Sequence, residues 1–275
     1  MMSIQNTLDV LEYGVCDICS DVFNKQYFIV YPDESVYLAS VCLIPAIEAY
    51  VDGVIVIEDD KPLGVIGSKD VLNAYYHVGK DVFYEEAKDI MYKIDEYLEE
   101  DDPLIDVIRY FRDKRIGFAP IVRDDKLVGV ISFRDILRLI AKSRIDISIK
   151  HISSILITMD PNTSIRDALA NMLTLGIRRV VIREDDIYSI SGRDILGFLM
   201  DNEFGEHKYD DPLDAPINKV NKHKLLRIGF DTSISEAARI IMKQKAPPSL
   251  LVEDNYIITP LDIIQKGLRI KQKVL

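Results

Sequence analysis

The chain has only three cysteines in 275 residues. They cannot all pair with one another, and a fold of this size needs no staples, so a reducing, cytoplasmic setting is expected. Cys16 and Cys19 form a C-x-x-C. No second pair completes a tetrahedral zinc set and no thioredoxin-type strand precedes it, so two small residues opening a buried segment is the plainer reading. No apolar run approaches the roughly 18–20 residues that cross a bilayer. The stretch Met1-Met2-Ser3-Ile4-Gln5-Asn6-Thr7-Leu8-Asp9 lacks a basic region followed by an apolar one, so no secretory signal is expected. Basic residues are the minority, 34 Lys and Arg against 45 Asp and Glu, for a net charge of −11. That balance counts against nonspecific binding to nucleic acid or an anionic membrane, but not against a small nucleotide, which responds to local donors. There is no Gly-rich phosphate loop and no Ser-His-Asp order. His77, His151, His207 and His223 show no metal-ligand spacing, and no helix-turn-helix lies beside a basic surface. The expectation is a non-enzyme with no metal and no prosthetic group.

What is present is a fourfold repeat. A β-rich apolar strand, an acidic turn, a second apolar strand and a small residue are followed, three positions on, by an Asp that opens a helix. The first copy is Val54-Ile55-Val56-Ile57, Glu58-Asp59-Asp60-Lys61, Leu63-Gly64-Val65-Ile66, then Gly67-Ser68-Lys69-Asp70. The others run through Ser132-Phe133-Arg134-Asp135, Ser191-Gly192-Arg193-Asp194 and Thr259-Pro260-Leu261-Asp262. The four aspartates stand 65, 59 and 68 residues apart, an interval that random apolar patches would not keep together with the same flanks.

An amphipathic helix precedes each hairpin. Ile165, Ala168, Leu169 and Met172 mark one face at i, i+3, i+4, i+7 spacing, as do Ile234, Ala237, Ala238 and Ile241, and Leu104, Val107, Ile108 and Phe111. Pro45 interrupts the first of these helices, which is expected to be kinked or short. Short strands are expected ahead of the helices at 28–30, 94–97, 156–158 and 226–228. Residues 201–211 read as a linker, and Lys266, Arg269, Lys271 and Lys273 as cations suited to a helix C-terminus. The unit is strand, helix, strand, strand, helix. Each sheet is too small to bury both faces alone, so units should pack in pairs.

On these motifs the chain resembles the CBS-domain family. The fit spans roughly residues 14–268, and its fullest signature is Leu127-Val128-Gly129-Val130-Ile131-Ser132-Phe133-Arg134-Asp135-Ile136-Leu137. Four copies in series look like the stand-alone members related to the γ subunit of the AMP-activated protein kinase. The resemblance implies an α/β fold (α+β by some schemes) of four βαββα repeats at 14–78, 83–142, 147–200 and 212–268. It further implies pairing of the first with the second and the third with the fourth as Bateman modules, in a disc-like, pseudo-symmetric assembly. In that family the clefts commonly take adenosine nucleotides (AMP, ADP or ATP). The Asp holds the ribose hydroxyls, the Ser or Thr three residues earlier meets phosphate, and basic residues before the second strand help to neutralise it.

Physical chemistry is consistent with those roles. A helix N-terminus offers unpaired N–H groups and positive potential to a phosphate. An ionised Asp only accepts hydrogen bonds, so a diol suits it better than a phosphate. Ser-x-x-Asp is equally a capping box that needs no ligand. The third repeat is the richest, with Arg178 and Arg179 before its second strand, then Ser191, Arg193 and Asp194; Arg178 falls where the kinase γ subunits often have His. The second has Ser132, Arg134 and Asp135 without a basic pre-strand residue. The fourth has Thr259 and Asp262, with Ala246-Pro247-Pro248-Ser249 as the loop before its strand. In the first, Gly67 replaces the hydroxyl and Asp70 alone is expected to hold a ribose. The expected function is nucleotide sensing by a monomer or homodimer that contacts an unidentified regulated protein. The alternative is a structural or protein-docking scaffold whose Ser-x-x-Asp motifs only cap helices.

Overall fold

The computed structural model describes residues 26–44, 52–244 and 249–267. Cys16, Cys19, Pro45, Ala246 to Pro248, Arg269, Lys271 and Lys273 lie outside these residues.

The acidic turns of the first two hairpins have a backbone reason. Asp59 and Asp60 take φ of 50° and 65°, and Asp124 and Asp125 take 50° and 63°. A two-residue hairpin loop favours left-handed backbone at both positions, and Asp tolerates it better than most side chains. These turns join β2 (Val54–Glu58) to β3 (Lys61–Ile66), and β6 (Phe118–Arg123) to β7 (Lys126–Ser132). In the third repeat β9 (Arg179–Arg183) pairs antiparallel with β10 (Ile187–Ser191), and in the fourth β13 (Leu250–Val252) pairs with β14 (Tyr256–Ile258). A parallel strand flanks three of the hairpins: β1 (Phe28–Val30) on β2, β5 (Leu98–Glu99) on β6, and β12 (Leu226–Ile228) on β13.

The first helix of each repeat is α1 (Val36–Leu43), α3 (Leu104–Asp113), α5 (Ile165–Leu175) or α7 (Ile234–Lys243). Ser35, Ser164 and Ser233 cap α1, α5 and α7, each hydroxyl accepting from the N–H three residues on. The predicted apolar faces are the buried ones: Ile165, Ala168, Leu169 and Met172 are all at most 6% exposed. Full burial of an aliphatic side chain contributes roughly 1.5–3 kcal/mol, so such faces decide the packing. The second helices are α2 (Ser68–Val78), α4 (Phe133–Lys142) and α6 (Gly192–Asp201), and a π-helical turn (Asp262–Gly267) holds this place in the fourth repeat.

Two compact units result. Of the described residues, one combines those up to Ile94 with 157–225, and the other combines 95–156 with those from Leu226 onward. Helix packing thus joins the first repeat to the third, α2 against α6, and the second to the fourth, α4 against α7. Each unit has its own core, around Phe83, Leu72 and Ile182 in one and Phe111, Ile121 and Ile136 in the other.

The segments between repeats are structural parts. After the first repeat the chain returns over its own first helix, with Val36 N–H donating to Glu85 O and Ala87 N–H to Glu34 O, then adds β4 (Tyr92–Lys93) to β3. After the third, Ile165 N–H donates to Ala215 O, and β11 (His223–Lys224) is added to β10. These bonds satisfy helix N-terminal groups that have no partner within the helix. The segment after the second repeat does the same for the fourth. Ile234 N–H donates to Ile147 O, buried Ser235 Oγ accepts from Ile145 N–H at 2.9 Å, and β8 (Ser154–Ile155) pairs with β14.

Three sequence expectations are corrected here. The strand expected at 94–97 is β5 at Leu98–Glu99, because residues up to Ile94 belong to the other unit. Residues 156–158 form no strand; the chain crosses from one unit to the other at Leu156–Ile157, and a single parallel bridge, Met159 to Ile182, replaces the pairing. Residues 201–211 are more than a linker. Glu203 accepts a 2.8 Å hydrogen bond from Tyr75, and Phe204 packs edge-on against Tyr37 of the first repeat and Phe83 just after it.

Candidate functional site

At each of the four hairpin ends, the second strand runs directly into a helix, and the Asp three residues on folds back over the junction. Asp135 Oδ2 accepts from Ser132 N–H at 2.8 Å and from Ser132 Oγ at 2.9 Å. Asp194 Oδ2 does so from Ser191 at 2.7 and 2.6 Å, and Asp262 Oδ2 from Thr259 at 2.9 and 2.7 Å. At the first junction Gly67 has no hydroxyl, and Asp70 Oδ2 accepts from the Gly67 N–H alone, at 2.8 Å. The capping box foreseen from Ser-x-x-Asp is completed at the third and fourth junctions, where Asp194 N–H and Asp262 N–H donate back to Ser191 Oγ and Thr259 Oγ1; at the first the acid reaches the cap backbone alone. Asp135, Asp194 and Asp262 are buried, whereas Asp70 is half-buried.

The second carboxylate oxygen differs from repeat to repeat. Asp135 Oδ1 has Arg138 at 3.5 Å. Asp194 Oδ1 has His223 Nε2 at 3.0 Å; an ionised carboxylate only accepts, so Nε2 carries the shared proton. Asp262 Oδ1 has Lys266 Nζ at 2.6 Å and Ser154 Oγ at 3.2 Å.

The basic residues are divided as well. Arg179 sits in β9 directly opposite Ser191 of β10, as the third-repeat reading expects. Its neighbour Arg178 serves a different repeat: its electrostatic partners are Asp52 and Asp70 of the first. Arg178 keeps exposed surface, yet the surrounding protein strips hydration from its guanidinium and lowers its pKa, and the two carboxylates oppose that shift. Asp70 responds in the opposite sense. Desolvation raises its pKa, against the Gly67 hydrogen bond and the charges of Lys69 and Arg178. The first junction, poorest in sequence, thus feels the charge of Arg178 from the third repeat in addition to that of its own Lys69. Arg134 and Arg193 stand one residue before their aspartates, in the first turns of α4 and α6.

Sequence reasoning missed His223 and Ser154 as partners of the motif aspartates. Both lie on short strands that are added after the repeat ends, 29 and 108 residues from their acids, so no local spacing announces them. Lys266, at i+4 from Asp262, carried a local signal and was taken for a helix-end cation.

Among the described residues no helix is long and apolar enough to cross a membrane. The CBS-domain model matches residues 19–77, 87–142 and 148–201, more than half of the chain. The protein belongs to the CBS-domain family. The fourth repeat shows the same succession of parallel strand, helix, hairpin and helical turn.

Protein MJ1404 of Methanocaldococcus jannaschii, functionally uncharacterized, is 29% identical over 223 residues, covering 73% of this chain and 53% of that one. The uncharacterized protein MK0525 of Methanopyrus kandleri is 36% identical over 86 residues, 31% of this chain and 44% of its own. The chain spans about half the length of these curated relatives. Among solved structures, MJ1225 of M. jannaschii, described as a candidate archaeal homologue of the γ subunit of AMP-activated protein kinase, superposes with a TM-score of 0.75. Its identity is 20%, and the match covers 89% of this chain and 97% of that one. That likeness shows the repeat fold.

Proposed function

We propose that the protein is a non-catalytic regulatory protein that binds adenosine nucleotides at its strand-to-helix junctions and transmits their occupancy to a protein partner. The observation that carries this reading is the electrostatic coupling of Asp70 to Arg178. A carboxylate suited to a ribose diol and a guanidinium suited to phosphate come from two different repeats, and each feels the other's charge. Neither capping nor packing requires that pairing. At the third junction Arg179 beside Ser191, with Arg193 and Asp194, offers the same chemistry. Ser132, Arg134 and Asp135 would act at the second junction, and Thr259 and Asp262 belong to the fourth. AMP, ADP and ATP would be told apart by the local positive charge. The pairing of successive repeats into Bateman modules, and a shift between two states with different nucleotide affinity, belong to the same proposal.

A docking scaffold is the second reading. It is favoured by the aspartates themselves, each of which caps a helix through bonds made within the chain. Calorimetric titration with AMP, ADP and ATP, with native mass spectrometry of the purified protein, separates the two. Saturable binding that D70N or R178A weakens tenfold or more is expected. Absence of heat and of any mass adduct with all three nucleotides would establish the scaffold instead.

A further inference from the structure

The fourth junction differs from the other three in the residue four places after its motif Asp. The position four after the motif Asp is Ala74, Leu139 and Phe198 in the first three repeats and Lys266 in the fourth. Lys266 Nζ reaches Asp262 Oδ1 at 2.6 Å, Ser154 Oγ at 2.8 Å and Ile152 O at 3.3 Å. An ammonium has three donors, and all three are used. A carboxylate has about four acceptor sites. Those of Asp262 are taken by Thr259 N–H and Oγ1 on one oxygen, and by Lys266 and the Ser154 hydroxyl on the other. Donors and acceptors form a closed set with no site left over. The two donors on Oδ1 are an ammonium and a hydroxyl, the same kind of donor that a sugar hydroxyl would offer.

An i, i+4 ion pair on a helix surface would mean little. This one differs on two counts. The Asp262 side chain is only 12% exposed, and the ammonium's other two bonds run to a segment more than a hundred residues away, the one that follows the second repeat. The Lys266 side chain is 48% exposed, so it can leave without passing through the core.

We propose that Lys266 and Ser154 are built-in occupants of the ribose position at the fourth junction. They close it to nucleosides and use Asp262 to clasp residues 152–154 to the fourth repeat. The inference rests on the nucleotide reading for the chemistry of the position, and its test separates the two. The probe is adenosine, which has no phosphate to be affected by the lost charge, titrated into the full chain by calorimetry with native mass spectrometry as the count. K266M is expected to bind one adenosine more per chain than the wild type, and D262N placed on K266M to abolish that gain. An unchanged count in K266M, or a wild type that loses one adenosine on D262N alone, would overturn the proposal. S154A, which leaves the helical turn untouched, is the second variant. It removes one donor and one anchor, and about a tenfold tighter uptake at this junction is expected; no gain in either variant again overturns it. A ligand-free readout accompanies these measurements. K266M should lower the melting temperature in the wild type but not in the D262N background, and an equal drop in both would refute the clasp. If the wild type binds no adenosine nucleotide while K266M gains adenosine, the inference stands and the sensing function falls. If neither protein binds any, both fall.

Discussion

His223 Nε2 lies 3.0 Å from Asp194 Oδ1, so the strand added after the third repeat ends on the acid that caps that repeat's second helix. Neither residue is near the other in sequence, and the contact holds β11 against β10 at their outer edge. Replacing the imidazole removes a hydrogen bond to a charged, buried acceptor. H223A is expected to cost about 1 kcal/mol of stability, with faster amide exchange confined to β11 and its neighbours. Combined with D194N, its effect should be less than additive in a thermal or denaturant melt.

Asp70 gives a pH dependence of defined sign. Burial raises its folded-state pKa above the ordinary 3.8, so in the window between those values the folded chain holds the proton that the unfolded chain releases. This group's contribution to stability therefore falls as pH rises through the window, and is fully present only below it. The difference in unfolding free energy between the wild type and D70N should fall in the same way in denaturant titrations from about pH 4 upward. A ribose diol needs the ionised carboxylate, so nucleotide affinity at this junction should rise with pH over the same range and lose that slope in D70N.

The first junction can be completed. Gly67 has φ of −113°, an ordinary extended value, and a Cβ there would meet Asp70 Oδ2 at 3.5 Å, which is normal contact. G67S should supply the missing cap hydroxyl and restrict the unfolded chain, gaining about 0.5–1 kcal/mol. Chemical denaturation checks this, and unchanged stability would mean that the hydroxyl finds no acceptor.

Gly192 marks where two helices nearly touch. A Cβ at this first residue of α6 would stand 3.0 Å from Ser68 Oγ and 3.2 Å from Leu72 Cδ1, both on α2. G192A should force the two helix starts apart and cost about 1–2 kcal/mol. S68A on the same chain should recover part of the loss, because it clears the nearer of the two atoms. Thermal melts of the single and double variants decide it.

Much of this was legible in local sequence. Apolar spacing identified the buried faces of α3, α5 and α7, the Asp pairs marked the hairpins, and Ser-x-x-Asp marked the helix starts, because each depends on residues within about one turn of one another. What was illegible depends on how the chain threads. Arg178 looks like a third-repeat residue, yet the charges it feels are those of Asp52 and Asp70 in the first, and Ser154 looks like loop until β8 joins β14. The grouping of alternate repeats by helix packing is of the same kind, since no residue within a repeat states which other repeat its second helix will meet.

That threading governs the order of assembly during synthesis. The unit made of 26–94 and 157–225 has all its parts once residue 225 has left the ribosome, whereas the other waits for strands and a helical turn beyond it. The segment at 143–156 is made early and stays unmated until the chain is nearly finished, so premature termination between the third and fourth repeats should leave one sound half and one with an open, aggregation-prone edge.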